Sequence, residues 1–197
     1  MTYLQLARKV RAHLNQDHRY RHCVRVARSA DILAQIHGAD SAKARTAAML
    51  HDLARLYSTA QLLEECERRG IPVDDFERRN PIVLHAPLGA VLAREQFGIE
   101  DAAVLSAITK HTLGAEEMSQ LDCIVYLADA LEPGRDFENR STIWALAQSD
   151  LRAAMSATID DAMVYLQNLG REPAPQTLAM QRIFSTSVSQ GAQPSLN

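Results

Sequence analysis

The chain has 197 residues, a length suited to one large domain. With 47% hydrophobic residues, 23% charged residues, 8 Gly and 7 Pro, its composition is that of a soluble globular protein, which excludes the disordered, collagen-like and disulfide-scaffold classes. The 21 basic and 24 acidic side chains leave a net charge of -3, which argues against a broad basic surface for a stable nucleic acid complex and still permits a local anion site.

Apolar residues recur three and four positions apart, so the period is helical almost throughout. The predicted helices run over 2–14, 19–37, 41–56, 59–69, 87–97, 101–112, 119–131, 140–147, 150–169 and 175–187. In the first, Arg8, Lys9 and Arg11 interrupt the apolar residues, unlike the continuous core of a signal peptide. Gly38 follows the second, Ser41 is placed to cap the third, Gly70 ends the fourth, and Pro87 falls in the first turn of the fifth. The charges from Glu64 to Arg69 read as a solvated helix face, and those of Glu77, Arg78 and Arg79 as a solvated turn. The segment 120–131 is apolar or amphipathic on every side from Cys123 to Ala128, which predicts a central helix. Residues 172–176 carry two prolines and read as a connector to the last helix. The expectation is an all-α helical bundle forming one domain over 1–187, with a flexible tail over 188–197. Cys23, Cys66 and Cys123 are odd in number and far apart, which fits a reducing cytoplasm better than a disulfide framework. No run reaches the roughly 18 apolar residues of a membrane span.

Several of these helices carry polar groups on apolar faces. His22 shares a face with Val26, Ser29 and Leu33. His51-Asp52 follows the alanine face of Ala44, Ala47 and Ala48, with Asp52 about 100° further round the same predicted helix. His85 stands just before Pro87, His111 closes the stripe of Val104, Ala107 and Ile108, and Asp129 lies beside Val125 and Tyr126. Singly, each has a plain structural reading: a hydrogen-bonded core histidine, an imidazole at a helix C-terminus, a carboxylate paired with arginine. Jointly, four histidines and two aspartates would make a poor dry core, because a buried carboxylate costs several kcal/mol unless a cation or strong hydrogen bonds meet it. Neutral imidazole and carboxylate together suit divalent first-row transition metals. His13, His18 and His37 read as surface or helix-end histidines.

The order His22, His51-Asp52, His85, His111, Asp129 resembles that of the HD-domain metallophosphohydrolases, in a version with extra histidines for two metal ions. More narrowly, the strings Arg-Tyr-Arg-His-Cys (19–23), Ala-Ala-Met-Leu-His-Asp-Leu-Ala-Arg (47–55), Leu-His-Ala-Pro-Leu-Gly-Ala (84–90), Ile-Thr-Lys-His-Thr-Leu-Gly (108–114) and Leu-Ala-Asp-Ala-Leu-Glu-Pro-Gly-Arg (127–135) are similar to those of the YqeK family. That family consists of bacterial symmetrical dinucleoside tetraphosphate hydrolases, and the five motifs occur in its order. The resemblance implies an HD-domain helical bundle with two divalent ions, iron first and manganese or another transition metal as alternatives. It implies cleavage of diadenosine tetraphosphate to two ADP by a hydroxide shared between the metals. It assigns His22, His51, Asp52 and Asp129 to one ion and Asp52, His85 and His111 to the other, with Asp52 bridging. The chain departs from the family's usual pattern at Arg55, where lysine is usual, and at Leu113, where a second threonine is usual.

Such a centre would carry a local surplus of about one positive charge, enough to draw a polyphosphate to an acidic protein. Asp52 and Arg55 are the expected catalytic residues. The expected substrate contacts are Arg55 and Arg135 on the phosphates, Thr112 on a phosphate oxygen, and Glu132 on the ligand or on the loop that holds Arg135. The expected partner is a dinucleoside polyphosphate, with no stable nucleic acid complex and no membrane; a homodimer is left open. Two competing functions are an HD-domain (deoxy)nucleotidase or nucleoside polyphosphate phosphohydrolase, and a catalytically idle nucleotide-binding module.

Overall fold

Helix starts are set by side-chain caps. Thr2, Ser58, Asp74 and Ser119 each accept a hydrogen bond from the backbone N–H three residues on, and the side chains of Gln5, Gln61, Glu77 and Asp122 each accept one from the cap's own N–H. Each such cap contributes about 0.5–2 kcal/mol. The computed structural model describes residues 1–185; the proposed boundary at 187 and the tail over 188–197 lie outside them. Among the described residues there are helices and no strands: α1 (Tyr3–Leu14), α2 (Asp17–Ile36), α3 (Ser41–Leu50), α4 (Thr59–Arg68), α5 (Asp75–Arg79), a 3-10 turn (Pro81–Leu84), α6 (His85–Phe97), α7 (Ala102–Lys110), α8 (Gln120–Leu131), α9 (Arg140–Ala147), α10 (Leu151–Asn168) and α11 (Pro175–Ser185).

Helix α8 is central, as its pattern predicts: every residue from Leu121 to Ala128 is buried. It packs against α2, α3, α7, α9 and α10. Val26, Leu33, Leu50, Ile124 and Leu127 are fully buried where these helices meet, each contributing about 1.5–3 kcal/mol. The three cysteines are free and buried. No helix among the described residues is long and apolar enough to cross a membrane.

Three boundaries differ from expectation. Asp40, rather than Ser41, caps α3 and accepts from the N–H groups of Ala42 and Lys43. The helix predicted over 41–56 stops at Leu50, and the chain tightens into turns closed by Leu53 N–H to Leu50 O and Arg55 N–H to Asp52 O. Leu53 and Ala54 remain buried through these turns, so the apolar pattern alone could not separate turn from helix. Gly89 of α6 fits against this corner, where a Cβ would lie 3.2 Å from the His51 carbonyl oxygen. Finally, Glu77, Arg78 and Arg79, read as a solvated turn, lie in α5, and a 3-10 turn from Pro81 to Leu84 then leads directly into His85.

Candidate metal centre

Helix ends bring five of the six predicted residues together, and His22 joins them from within α2. His22 projects from α2, His51 sits at the C-terminus of α3 with Asp52 in the turn beyond, His85 opens α6, His111 follows α7, and Asp129 lies in the last turn of α8. The four histidines and Asp52 are 0–6% exposed. His51 and His111 leave their helices at the point where a side chain can turn inward from the end of the rod, which is why Asp52 sits on a turn rather than round a continuing helix.

The imidazoles share one orientation. The Nδ1 atoms of His51, His85 and His111 lie 2.6, 2.5 and 2.7 Å from the carbonyl oxygens of Ala48, Ile82 and Ile108, three residues back in each case. His22 Nδ1 lies 3.1 Å from Glu132 Oε1. A carbonyl oxygen or carboxylate only accepts, so each Nδ1 carries a proton and each Nε2 is the atom turned to the interior, where it is a ligand whenever the ring is neutral. Those Nε2 atoms meet in pairs, His22 with His51 at 3.2 Å and His85 with His111 at 3.1 Å. Nε2 atoms at that distance share a proton or another cation between them.

Asp52 divides itself between the pairs. Its Oδ2 lies 3.6 Å from His22 Nε2 and 3.4 Å from His51 Nε2, while its Oδ1 lies 3.5 Å from His85 Nε2 and 4.0 Å from His111 Nε2. Asp129 Oδ1 joins the first pair, 3.1 Å from His22 and 3.8 Å from His51. Two groups with convergent ligand atoms result: His22, His51 and Asp129, and Asp52, His85 and His111. Both fit a divalent transition metal in donor type and spacing. Cys23 also converges with His51 and Asp52, and burial pushes its thiol well up, with Asp52 adding to the effect.

The electrostatics favour a cation. Burial acts to raise the Asp52 and Asp129 carboxyls, yet the surrounding imidazoles outweigh it and hold both below the usual carboxylate range. Burial likewise acts to lower His51, but Asp52 and Asp129 hold it up at about 9, so without metal a proton occupies the first pair. At the second pair, burial and the neighbouring imidazoles push His111 down to about 3.

Around this cluster lies an open cavity of about 320 Å³ lined by Arg19, Arg55, Thr112, Tyr126 and Arg135. Thr112 Oγ1 stands 3.1 Å from His85 Nε2 and 3.0 Å from His111 Nε2. Arg55 has no ion-pair partner among the described residues, whereas Arg135 Nη2 lies 2.6 Å from Asp129 Oδ1. Glu132, expected on the ligand or on the loop that holds Arg135, stands behind His22 at 1% exposure and reaches that loop at Gly134. It accepts from His22, from Arg25 Nε at 2.5 Å and from Gly134 N–H at 2.6 Å, because the chain leaves α8 here and turns its carboxylate inward. Sequence reasoning left Arg19 unassigned, although it falls three residues before His22 on the same face; its Nη1 donates to Asp52 Oδ2 at 2.8 Å. Tyr126, three residues before Asp129, and Ile82 and Val83 of the 3-10 turn were also missed as cavity walls.

A helical frame presenting paired histidines and a shared aspartate defines an HD-domain protein. The HD domain family profile matches residues 19–134, and the chain belongs to that family. Within it, the chain is 36% identical over 161 residues to the symmetrical bis(5'-nucleosyl)-tetraphosphatase of Bacillus subtilis (strain 168), covering 82% of this chain and 86% of that protein. It is also 36% identical to the protein of the same name from Halalkalibacterium halodurans, covering 86% and 90%. A crystal structure described as a predicted HD superfamily hydrolase involved in NAD metabolism, from Clostridium acetobutylicum, superposes with a TM-score of 0.88 at 32% identity, covering 93% of this chain and 97% of that one.

Proposed function

We propose that this protein is a metal-dependent hydrolase that cleaves diadenosine tetraphosphate symmetrically to two ADP in the cytoplasm. The observation that carries the reading is the division of Asp52 between two histidine pairs, joined to the names of relatives that align over most of both chains. His22, His51, Asp52 and Asp129 hold one divalent ion, and Asp52, His85 and His111 hold the second, with iron as the proposed metal. When bound, such ions make a water nucleophilic near neutral pH and offset charge on phosphoryl oxygens.

The chain's own residues bind and orient the substrate. Arg55, at the mouth and without an ion-pair partner among the described residues, takes phosphate oxygens through its planar guanidinium. Arg135 contributes a second cation beside Asp129, and Thr112 offers a hydroxyl to a phosphate oxygen. Arg19 fixes the torsion of Asp52, and Glu132 fixes the ring of His22. Water adds to one of the two inner phosphorus atoms, the central P–O–P bond breaks, and both halves leave as ADP.

Metal-loaded protein incubated with diadenosine tetraphosphate is expected to yield ADP alone, resolved by anion-exchange chromatography. ATP plus AMP, or hydrolysis confined to mononucleotides, overturns the reading. In the same assay Arg55→Ala lowers kcat/KM by about tenfold or more, the scale of one charge-assisted hydrogen bond, and Arg55→Lys recovers most of it.

A further inference from the structure

The cavity over the histidines is small for a substrate with two nucleosides. Its volume of about 320 Å³ lies near the lower end of the roughly 300–1,000 Å³ that drug-sized ligands occupy, so a whole dinucleoside tetraphosphate extends beyond it. A second cleft of about 760 Å³ adjoins it between α10 and the segment after α8, and the two have Ala130 and Arg135 in common. The walls differ in chemistry. The first holds Arg19, Arg55 and Arg135; the second holds the carboxylates of Asp136, Glu138 and Asp161 with Arg135 as its single cation. Phosphates therefore favour the first and are repelled from the far end of the second.

What the second cleft offers suits a base and a ribose. Phe137 and Tyr165 line it while 37% and 63% exposed, and Val164 beside them is 56% exposed. Asn139 and Asn168 supply amide donors and acceptors for a base edge, and Asp161, which accepts from Asn139 Nδ2 at 3.0 Å, is a carboxylate suited to ribose hydroxyls. We propose that this cleft seats one nucleoside of the substrate, with Tyr165 and Phe137 as the stacking surfaces and Arg135 at the junction where the polyphosphate passes to the histidine cluster. This inference rests on the hydrolase reading and adds the residues that distinguish a nucleotide from a bare polyphosphate.

The test compares ADP with inorganic pyrophosphate, measured by calorimetry on the metal-loaded full chain. In Tyr165→Ala and in Phe137→Ala, the Kd for ADP rises about tenfold, as loss of one stacking ring predicts, while the Kd for pyrophosphate holds within about twofold. Tyr165→Phe keeps the wild-type ADP affinity. With diadenosine tetraphosphate the alanine variants raise KM far more than they change kcat. Equal shifts for ADP and pyrophosphate, or no shift in either, overturn the nucleoside seat. So does a Tyr165→Ala protein that changes from dimer to monomer in sedimentation with its ADP affinity intact, which assigns the face to a second copy of the chain. A wild type that binds ADP through Tyr165 yet leaves diadenosine tetraphosphate uncut retains the seat and removes the hydrolase reading; a wild type that cuts it while Tyr165→Ala binds ADP normally does the reverse.

Discussion

His22 and the other three histidines reach the same cluster by different anchors. His51, His85 and His111 are each held through Nδ1 by a main-chain carbonyl three residues earlier, an arrangement that the local turn alone supplies. His22 lies within α2, where carbonyls are taken up by the helix, and is held by Glu132 from the far end of α8, itself clamped by Arg25. A main-chain anchor survives most substitutions, whereas a carboxylate anchor can be lost in one step. The His22–His51 pocket is therefore the one whose affinity for a cation a single side-chain change behind it can tune.

The largest effect should come from the residue common to both pockets. Asp52→Ala is expected to release both metals and lower turnover by more than about 10³-fold, or about 4 kcal/mol of transition-state stabilisation. Retention of one ion at wild-type affinity, by elemental analysis after dialysis, would show that the two pockets do not depend on a common carboxylate. Glu132→Gln tests the asymmetry directly: metal affinity at the His22 pocket is expected to fall 10–100-fold while the His85–His111 pocket is unchanged, splitting a metal titration into two phases. Parallel weakening of both would erase the distinction drawn between the anchors.

The smallest effect concerns acid stability without metal. Burial would raise Glu132, but Arg25, the Gly134 N–H and His22 hold it at about 2 in the folded chain against an ordinary value of 4.5. A lowered folded pKa stabilises above the unfolded value and is lost as pH falls through the folded one. Wild type should thus lose this contribution between about pH 4.5 and 2, and Glu132→Gln should not; chemical denaturation across that range, with chelator present, compares them.

The sequence made some of this legible for identifiable reasons. The apolar faces behind His22 and His111 and the all-round apolarity of α8 reported burial, while the grouping of the six residues as ligands came with the motif order that resembles the HD-domain hydrolases. The turn after Leu50 was not readable, because Leu53 and Ala54 satisfy a helix and a 3-10 turn equally. Helix α5 was overlooked through its charges, although Asp74 and Glu77 stand in capping-box spacing. The inward turn of Glu132 and the reach of Arg19 to Asp52 depend on where α8 ends and how α2 lies across it. Such tertiary placements leave no periodic trace in a single chain.

The docking of α11 bears on how far the working unit extends. Thr177 Oγ1 donates to the Leu113 carbonyl at 2.9 Å, and Met180 fills the space over Gly114, whose φ of 69° and missing Cβ let the loop pass beneath it. That loop begins at the neighbour of His111. A fragment trimmed to the stretch matched by the family profile would strip this buttress from the second histidine pair, so the last helix is scaffolding for chemistry that its own residues never touch.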